Sequence, residues 1–294
     1  MAFALLKNGF YMRITYVNGE FLPETEAKIS IFDRGFLFAD GIYEVSTVIN
    51  GKIIENTPHL KRLERSAREL KLPLPISLDE IEDIQHQLVK KNNLTEGAIY
   101  LQVTRGPADR DFAFPKQVTP SLIMFTQEKE IINAVNATNG IEVISIPDLR
   151  WDRCDIKTIQ LLYASIAKQT AIDAGVQDTW MVADGFVTEG TSNNAYIVTD
   201  DDVIITRQIG SEILSGITRE TILRLAKEQG LKIEERPFTL EEAYHAKEAF
   251  VTSATTFVWP VKNIDGHQIG GGQPGPLARR LRELYIEMAM ASEA

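Results

Sequence analysis

Lys157 is the residue whose sequence surroundings most clearly suggest chemistry. The stretch Arg150-Trp-Asp-Arg-Cys-Asp-Ile-Lys-Thr-Ile-Gln-Leu-Leu162 predicts that this lysine stands at the edge of an apolar helix. Apolar neighbours remove hydration from an ammonium group, so the lysine pKa falls and the amine can attack a carbonyl to form a Schiff base. The alternative is a solvated charge in the first turn of an amphipathic helix. The predicted apolar wall consists of Ile159, Leu161, Leu162, Ile166 and Ala167.

Four further elements could complete a site around such a lysine. Glu189 ends a predicted hairpin strand, and a carboxylate beside a lysine-bound pyridine ring would keep the ring nitrogen protonated. Ser215-Gly-Ile-Thr218 opens a predicted helix whose amides could hold a phosphate, although an ordinary N-cap gives the same pattern. Ser253-Ala-Thr-Thr256 follows a predicted strand and offers hydroxyl groups. Arg62 is either a solvated charge or the cation that a phosphate requires.

Composition restricts the class of protein and its partners. The 294 residues are 44% hydrophobic and 24% charged, which is typical of a globular chain long enough for two domains. The net charge of −10 disfavours nucleic acid and anionic membranes as partners. Cys154 is the single cysteine, which favours a reducing, cytoplasmic setting. The four histidines lack metal-ligand spacing, and no run approaches the roughly 20 apolar residues of a membrane helix.

Turn and cap signals define the elements that must position these residues. Hairpins are predicted at Asn18-Gly19, Asn50-Gly51 and Asp184-Gly185, because these dipeptides tolerate positive φ. Helices are predicted after Thr57-Pro58 and after capping boxes that begin at Ser77 and Thr239.

Strands and helices are interspersed with many hairpins, which predicts a mixed α/β (α+β) fold rather than a run of parallel βαβ units. The predicted domains are an N-terminal one over residues 1–130 and a C-terminal one over residues 141–294 that carries the lysine. A linker over residues 131–140 would join them. Residues 1–9 are too short a segment for a secretory signal and are expected to form an extension before the first strand.

Taken together, these segments resemble the fold-type IV pyridoxal-phosphate enzymes, the class IV aminotransferase family. The similarity runs from about Tyr16 to the end of the chain, and it is greatest to the family's D-amino acid transaminases. The segments that carry it are Phe38-Ala-Asp-Gly-Ile-Tyr-Glu-Val45, Gln102-Val-Thr-Arg-Gly106, Arg153-Cys-Asp-Ile-Lys157 and Phe250-Val-Thr-Ser253.

The resemblance implies a two-domain fold-type IV enzyme with pyridoxal 5′-phosphate as its cofactor. Lys157 would hold the cofactor and shuttle protons, and Glu189 would pair with the ring nitrogen. Its substrates would be D-amino acids and 2-oxo acids, and the enzyme would be a homodimer in which Arg110 comes from the partner subunit. The phosphate ligands would be Arg62, Ile217, Thr218, Ser253 and Thr255, and the substrate-binding residues Tyr43, Val45 and Arg110.

Two positions depart from the family pattern. Phe112 stands where relatives carry a histidine, two residues after Arg110, which removes one hydrogen-bond donor from the predicted carboxylate site. Ala254 replaces a threonine after the late strand, so Ser253 or Thr255 would have to provide that phosphate contact.

Other activities within and beyond the family stay open at this point. A branched-chain L-amino acid transaminase, an R-selective amine transaminase and a 4-amino-4-deoxychorismate lyase share the fold. A non-catalytic binding protein is the alternative outside enzymology, although it would not need the lysine and glutamate pair.

Overall fold

The computed structural model describes residues 12–291, so the extension predicted over residues 1–9 lies outside the described part of the chain. Residue contacts divide the chain into two units. Among the described residues, the first unit comprises 12–129 and 156–160, and the second comprises 130–155 and 161–291. Lys157 therefore belongs to the first unit, whereas the sequence analysis assigned it to the C-terminal domain. The predicted linker, 131–140, belongs to the second unit and contains a short helix.

The first unit is built on a six-stranded antiparallel sheet. Its order is β2-β1-β6-β5-β3-β4. Asn18-Gly19 and Asn50-Gly51 form the two tight turns with positive φ, as predicted. The strands are β1 (Ile14–Val17), β2 (Glu20–Pro23), β3 (Gly41–Ile49), β4 (Lys52–Ile54), β5 (Glu96–Thr104) and β6 (Ser121–Glu128).

Three helices belong to the first unit: α1 (Arg34–Phe38), α2 (Asn56–Glu69) and α3 (Leu78–Lys91). The capping box at Ser77 is confirmed, because its side chain and that of Glu80 exchange hydrogen bonds with each other's backbone. The cap predicted at Thr57 is wrong, because α2 begins at Asn56. α2 and α3 contribute to a buried core that also contains residues of β3, β5 and β6. The helices supply Leu60, Leu63, Ile81 and Leu88, and the strands supply Val48, Leu101, Val103 and Met124.

The second unit is built on a mixed sheet of nine strands among the described residues. Its order is β12-β11-β10-β13-β14-β7-β8-β9, with β15 paired to β14. Parallel pairs join β7 to β8, β7 to β14 and β11 to β12. The strands are β7 (Ile141–Pro147), β8 (Asp178–Ala183), β9 (Phe186–Gly190), β10 (Asn194–Val198), β11 (Val203–Thr206), β12 (Lys232–Glu235), β13 (Glu248–Ser253), β14 (Phe257–Ile264) and β15 (His267–Gln268).

The helices of this unit are α4 (Val135–Asn139), α5 (Leu162–Asp173), α6 (Ile217–Glu228), α7 (Leu240–Tyr244) and α8 (Pro276–Ala291), with a 3₁₀ turn at Gly270–Gly272. The capping box at Thr239 and the turn at Asp184-Gly185 are confirmed. The mixed α/β class is also confirmed. Five elements were not predicted from the sequence: α1, α4, β12, β14 and β15. Within residues 12–291, no helix combines the length and apolarity that crossing a membrane requires.

Candidate active site

Lys157 lies in a non-helical segment, residues 156–160, that runs beside the start of β3. The backbone amide of Tyr43 donates a hydrogen bond to the carbonyl of Lys157 over 3.0 Å. The amide of Lys157 donates in turn to the Oγ of Ser66 on α2 over 3.3 Å. Because both bonds involve backbone atoms of Lys157, they fix the origin of its side chain within the first unit.

A helix follows Lys157 as predicted, but the lysine does not stand at its edge. α5 begins at Leu162, five residues after the lysine, and the side chains of Leu162 and Ile166 are 76% and 51% exposed. The Nζ of Lys157 instead lies 4.1 Å from the ring centroid of Tyr43. An ammonium group is attracted to an aromatic face at this distance. Lys157 therefore meets a residue that was predicted to bind substrate.

Tyr43 and Val45 share one face of β3, because side chains alternate along a strand. Both are partly exposed, whereas Glu44 between them is buried on the opposite face. The Tyr43 ring stacks on Tyr100 of β5, with centroids 5.6 Å apart. The stacking holds the Tyr43 ring in place beside the lysine amine.

Arg62, a predicted phosphate ligand, is held by a buried carboxylate. Its Nε and Nη2 each donate to one oxygen of Glu44, both over 2.8 Å. His59, one turn earlier on α2, places its Nδ1 2.8 Å from the same carboxylate. This three-residue cluster, Glu44, His59 and Arg62, fixes the direction of the guanidinium. The sequence analysis missed Glu44 and His59, since nothing local connects them to Arg62.

Burial and charge act in opposite directions on this cluster. Burial raises the pKa of Glu44, but the charge of Arg62 and the hydrogen bonds from Arg62 and His59 outweigh it and lower the pKa to about 2. Burial lowers the pKa of His59 below its usual range. The charges of Arg62 and Lys157 act in the same direction and Glu44 opposes them. Glu44 is thus ionised and His59 neutral near pH 7.

Arg110 lies in the loop between β5 and β6, and that loop is fixed by two buried arginines. Arg34 and Arg105 both donate through Nε to the Oδ2 of Asp40 over 2.8 Å. Arg105 also stacks on Phe114, with its Cζ 3.7 Å from the ring centroid, which ties the far end of the loop to the unit's core.

The guanidinium of Arg110 lies beside two aromatic rings that are in contact with each other. Its Cζ is 5.5 Å from the ring centroid of Phe38 and 5.6 Å from that of Phe112. The two rings contact each other edge to face, with centroids 5.6 Å apart. Phe112 therefore contributes a ring face to Arg110, at the position where the resemblance predicts a hydrogen-bond donor in relatives.

In the second unit, Glu189 is the last residue but one of β9, and its buried carboxylate receives three donors. The Nη1 of Arg150 donates to Oε1 over 2.5 Å. The Nδ2 of Asn194 and the backbone amide of Leu214 donate to Oε2 over 3.0 and 3.2 Å. Burial raises the pKa of Glu189, and the charge of Arg150 lowers it without reversing the shift. Such a carboxylate binds a positive partner strongly.

Arg150 connects Glu189 to a second buried carboxylate, that of Asp148. No role was predicted for Arg150 from the sequence. Its Nε and Nη2 donate to the two oxygens of Asp148 over 3.0 and 2.7 Å. The Oγ1 of Thr188 donates to Asp148 as well, over 2.7 Å. An Asp-x-Arg pair at the end of a strand is the only sequence signal that marks these residues.

The N-terminus of α6 contains a buried polar group without a partner. Gly216 is the N-cap, and no side chain caps the helix. The Oγ1 of Thr218 is buried and has no hydrogen-bond partner among the described residues. Such a group costs free energy unless a ligand satisfies it. With the amides of Ile217 and Thr218 and the positive end of the helix dipole, this terminus can receive an anion.

Ser253 lies at the end of β13, beside the same region of the sheet. Asn194 of β10 pairs with Thr252, so Ser253 follows directly after the position opposite Asn194. The Oγ of Ser253 lies 2.8 Å from the Oγ1 of Thr256. The structure thus brings Ser253 close to Asn194 at the start of β10. The phosphate role of Ser253 and Thr255 stays a prediction.

The chain's sequence matches known aminotransferases along most of its length. Residues 41–264 match the family model for Amino-transferase class IV. A D-alanine aminotransferase of Bacillus licheniformis is 40% identical over 270 residues, which are 90% of this chain and 93% of that protein. A D-alanine aminotransferase of Staphylococcus haemolyticus is 38% identical over 279 residues, 94% of this chain and 99% of that protein.

The fold agrees with this match. The structure of the Escherichia coli branched-chain amino acid aminotransferase superposes with a TM-score of 0.87 and 23% identity, covering 95% of this chain and 95% of that one. This chain belongs to the class IV aminotransferase family. It is an aminotransferase, and enzymes of this class depend on pyridoxal 5′-phosphate.

The residues present fit that cofactor in three respects. The uncapped start of α6 with the unpartnered hydroxyl of Thr218 suits a phosphate. The buried carboxylate of Glu189 suits a protonated ring nitrogen, and Lys157 provides an amine for the aldehyde. Among residues 12–291, no group of three or more histidine, cysteine, aspartate and glutamate side chains could hold a metal ion.

Proposed function

We propose that this chain is a transaminase that moves the amino group of a D-amino acid, such as D-alanine, to a 2-oxo acid, such as 2-oxoglutarate. The observation that carries the proposal is the match to D-alanine aminotransferases at 36–40% identity over nine tenths of the chain or more. The branched-chain enzymes of similar fold are less similar in sequence, at 26% identity or below.

Each part of the cofactor has a proposed ligand set. The phosphate would be bound by the start of α6, through Ile217 and Thr218, with Arg62, Ser253 and Thr255 as further ligands. The ring nitrogen would donate to Glu189, whose carboxylate is already oriented by three donors. When bound, pyridoxal phosphate acts as an electron sink that makes the hydrogen on the substrate's α-carbon acidic.

Lys157 is the residue to which we assign covalent attachment and proton transfer. Its Nζ would take the proton from the α-carbon of the substrate and deliver it on the same face of the bound cofactor. Tyr43 supports this role, because its ring holds the amine at 4.1 Å and its stacking on Tyr100 restricts its own motion. The chain's part is to orient and to move one proton.

The substrate carboxylate would be bound by Tyr43 and Arg110, with Val45 lining the same face of β3. We propose a homodimer in which Arg110 serves the partner subunit, as in the family that the sequence resembles. The surface near its loop supports an interface, since it exposes large apolar side chains, among them Ile31, Phe36 and Phe112. A single cysteine supports a reducing cytoplasm as the location.

The test is a comparison of enantiomers with the purified, cofactor-loaded enzyme. We expect pyruvate and glutamate to form from D-alanine and 2-oxoglutarate, and much less product from L-alanine or L-leucine. Chiral analysis of the glutamate identifies the face to which the proton is delivered.

Two outcomes would contradict the proposal. Preference for L-leucine over D-alanine would indicate a branched-chain transaminase. Release of pyruvate from 4-amino-4-deoxychorismate without any amino acceptor would indicate the lyase.

A further inference from the structure

Arg150 divides its guanidinium unequally between two buried carboxylates. Asp148 takes both Nε and Nη2, at 3.0 and 2.7 Å, in the two-point geometry that arginine favours. Glu189 receives Nη1 alone, at 2.5 Å. Asp148 is itself held by Thr188, whose Oγ1 donates to its Oδ2 over 2.7 Å.

This division leaves Glu189 with one acceptor position. A carboxylate offers about four lone-pair positions. Among the described residues, the donors to Glu189 are Arg150 on Oε1, and Asn194 and the Leu214 amide on Oε2. The remaining position is on Oε1, beside the Arg150 contact.

The cluster of Asp148, Arg150 and Glu189 also lacks one positive charge. With both carboxylates ionised it carries one net negative charge, although all three side chains are at least four fifths buried. Among the described residues, Arg150 is the cation that forms ion pairs with both Asp148 and Glu189. A buried negative charge of this kind favours a positively charged ligand atom.

We propose that Asp148 is a positioning residue for Glu189. By occupying two of the three guanidinium nitrogens of Arg150, it restricts Arg150 to one hydrogen bond with Glu189. This preserves both the acceptor position and the negative charge that a protonated pyridine nitrogen needs. The inference rests on the proposed function, because it takes Glu189 as the partner of the cofactor's ring nitrogen.

Removal of Asp148 has two consequences in the same direction. Arg150 would be released from its two-point contact and could place a second N–H on Oε1 of Glu189, which fills the open acceptor position. The cluster would also become neutral, so its attraction for a ring N–H⁺ would weaken. Both effects reduce the preference for a cofactor with a protonated ring nitrogen, and neither alters the phosphate ligands or Lys157.

The test compares binding of two probes to the cofactor-free protein: pyridoxal 5′-phosphate and 1-deazapyridoxal 5′-phosphate, in which C–H replaces the ring nitrogen. A charge-assisted hydrogen bond predicts that the wild type binds the first about tenfold or more tightly. We expect Asp148→Asn to reduce this preference by about fivefold or more. Glu235→Gln, which removes the charge that the partly exposed Glu235 offers to buried Arg219 in the same unit, is the matched control and should keep the preference.

Glu189→Gln separates the two ways in which the proposal can fail. If this variant keeps the wild-type preference, Glu189 is not the ring-nitrogen partner and the proposed function of that residue is wrong. If Glu189→Gln loses the preference and Asp148→Asn retains it, only the positioning role of Asp148 is overturned.

A milder variant covers the case in which Asp148→Asn does not fold. Thr188→Val removes the hydroxyl that contacts Asp148 and the carbonyl of Met181, at a strand position that accommodates valine. It should lower the preference by about twofold. An unchanged preference in a folded Thr188→Val protein overturns the proposal.

Discussion

A β-carbon at Gly216 would lie 2.2 Å from the Oδ1 of Asn194. The Nδ2 of the same asparagine donates to both Glu189 and the carbonyl of Leu214. The start of α6 and the carboxylate of Glu189 are thus connected through one side chain. The close approach explains why the N-cap of α6 is a glycine rather than one of the usual polar caps.

Gly216→Ala should therefore displace Asn194 and loosen Glu189. We expect a loss of about 2 kcal/mol in the free energy of unfolding and weaker pyridoxal-phosphate binding. Urea unfolding and a cofactor titration measure the two effects. Gly210→Ala is the matched control, since a β-carbon there meets nothing within 4 Å. Equal behaviour of the two variants would show that the contact with Asn194 has no consequence.

Thr218→Val should have opposite effects on stability and on binding. Without the cofactor, the variant removes a buried hydroxyl that has no partner, which should stabilise the protein by about 1 kcal/mol. With the cofactor, it removes a phosphate ligand, so affinity should fall about tenfold. Thermal unfolding and titration test the prediction, with Thr218→Ser as the hydroxyl-retaining control. Unchanged affinity would exclude Thr218 as a phosphate ligand.

Lys157→Ala should abolish turnover, because the variant has neither the amine that holds the cofactor nor the base at the α-carbon. Borohydride reduction of the wild type followed by peptide mapping identifies the modified lysine directly. The half-exposed Lys168, on α5, offers Lys168→Ala as a control that should retain activity. A label on another lysine would contradict the assignment.

Arg110→Ala should raise KM for D-alanine much more than for 1-phenylethylamine, because the amine has no carboxylate to lose. Since Phe112 offers a ring face but no hydrogen bond, the carboxylate site should be weaker than in relatives with histidine, and the enzyme more tolerant of amines. Initial rates with both donors, for the wild type, Arg110→Ala and Phe112→His, test this. Equal KM changes for both donors in Arg110→Ala would show that Arg110 does not bind the carboxylate.

Acidification should destabilise the protein in two steps that originate in the Glu44, His59 and Arg62 cluster. The pKa of His59 is depressed, so the stability that its neutral form contributes is lost as pH falls below 6.5. The pKa of Glu44 is depressed from 4.5 to about 2, so its contribution, on the order of 3 kcal/mol, is lost as pH falls through that interval.

Urea unfolding between pH 7.5 and 4.5 measures the first step. His59→Gln keeps a donor toward Glu44 but does not titrate, so its stability should depend less on pH below 6.5. The same decline in both proteins would assign the effect to other groups.

Local chemistry alone determined the turns and the best-defined helix starts. Asn18-Gly19, Asn50-Gly51 and Asp184-Gly185 adopt positive φ because few other residues tolerate it. The capping boxes at Ser77 and Thr239 form because each involves groups only three residues apart. In each of these turns and caps the interacting groups are neighbours in the sequence, so the sequence itself fixes the contact.

Tertiary contacts overrode local signals at two other places. α2 begins before the predicted Thr57 because Asn56 is buried, where it accepts from Ser46 and donates to Gln85. β14 was not predicted from the sequence, and it contains Pro260, a residue type that argues against a central strand. The strand accommodates Pro260 because its pairing with β7 begins only at Val261, so the missing N–H leaves no ladder bond unmade on that side.

The sequence by itself supplied the residue types of the site and their likeness to a family, whereas the tertiary structure decided their surroundings. Lys157 was predicted on an apolar helix but lies beside β3 and Tyr43, because its backbone bonds are to residues about 90 and 110 positions away. Glu44 with Arg62, and Arg150 with Glu189, are pairs separated by 18 and 39 residues. Charge pairing at such separations depends on which strands and helices pack together, and no local pattern encodes it.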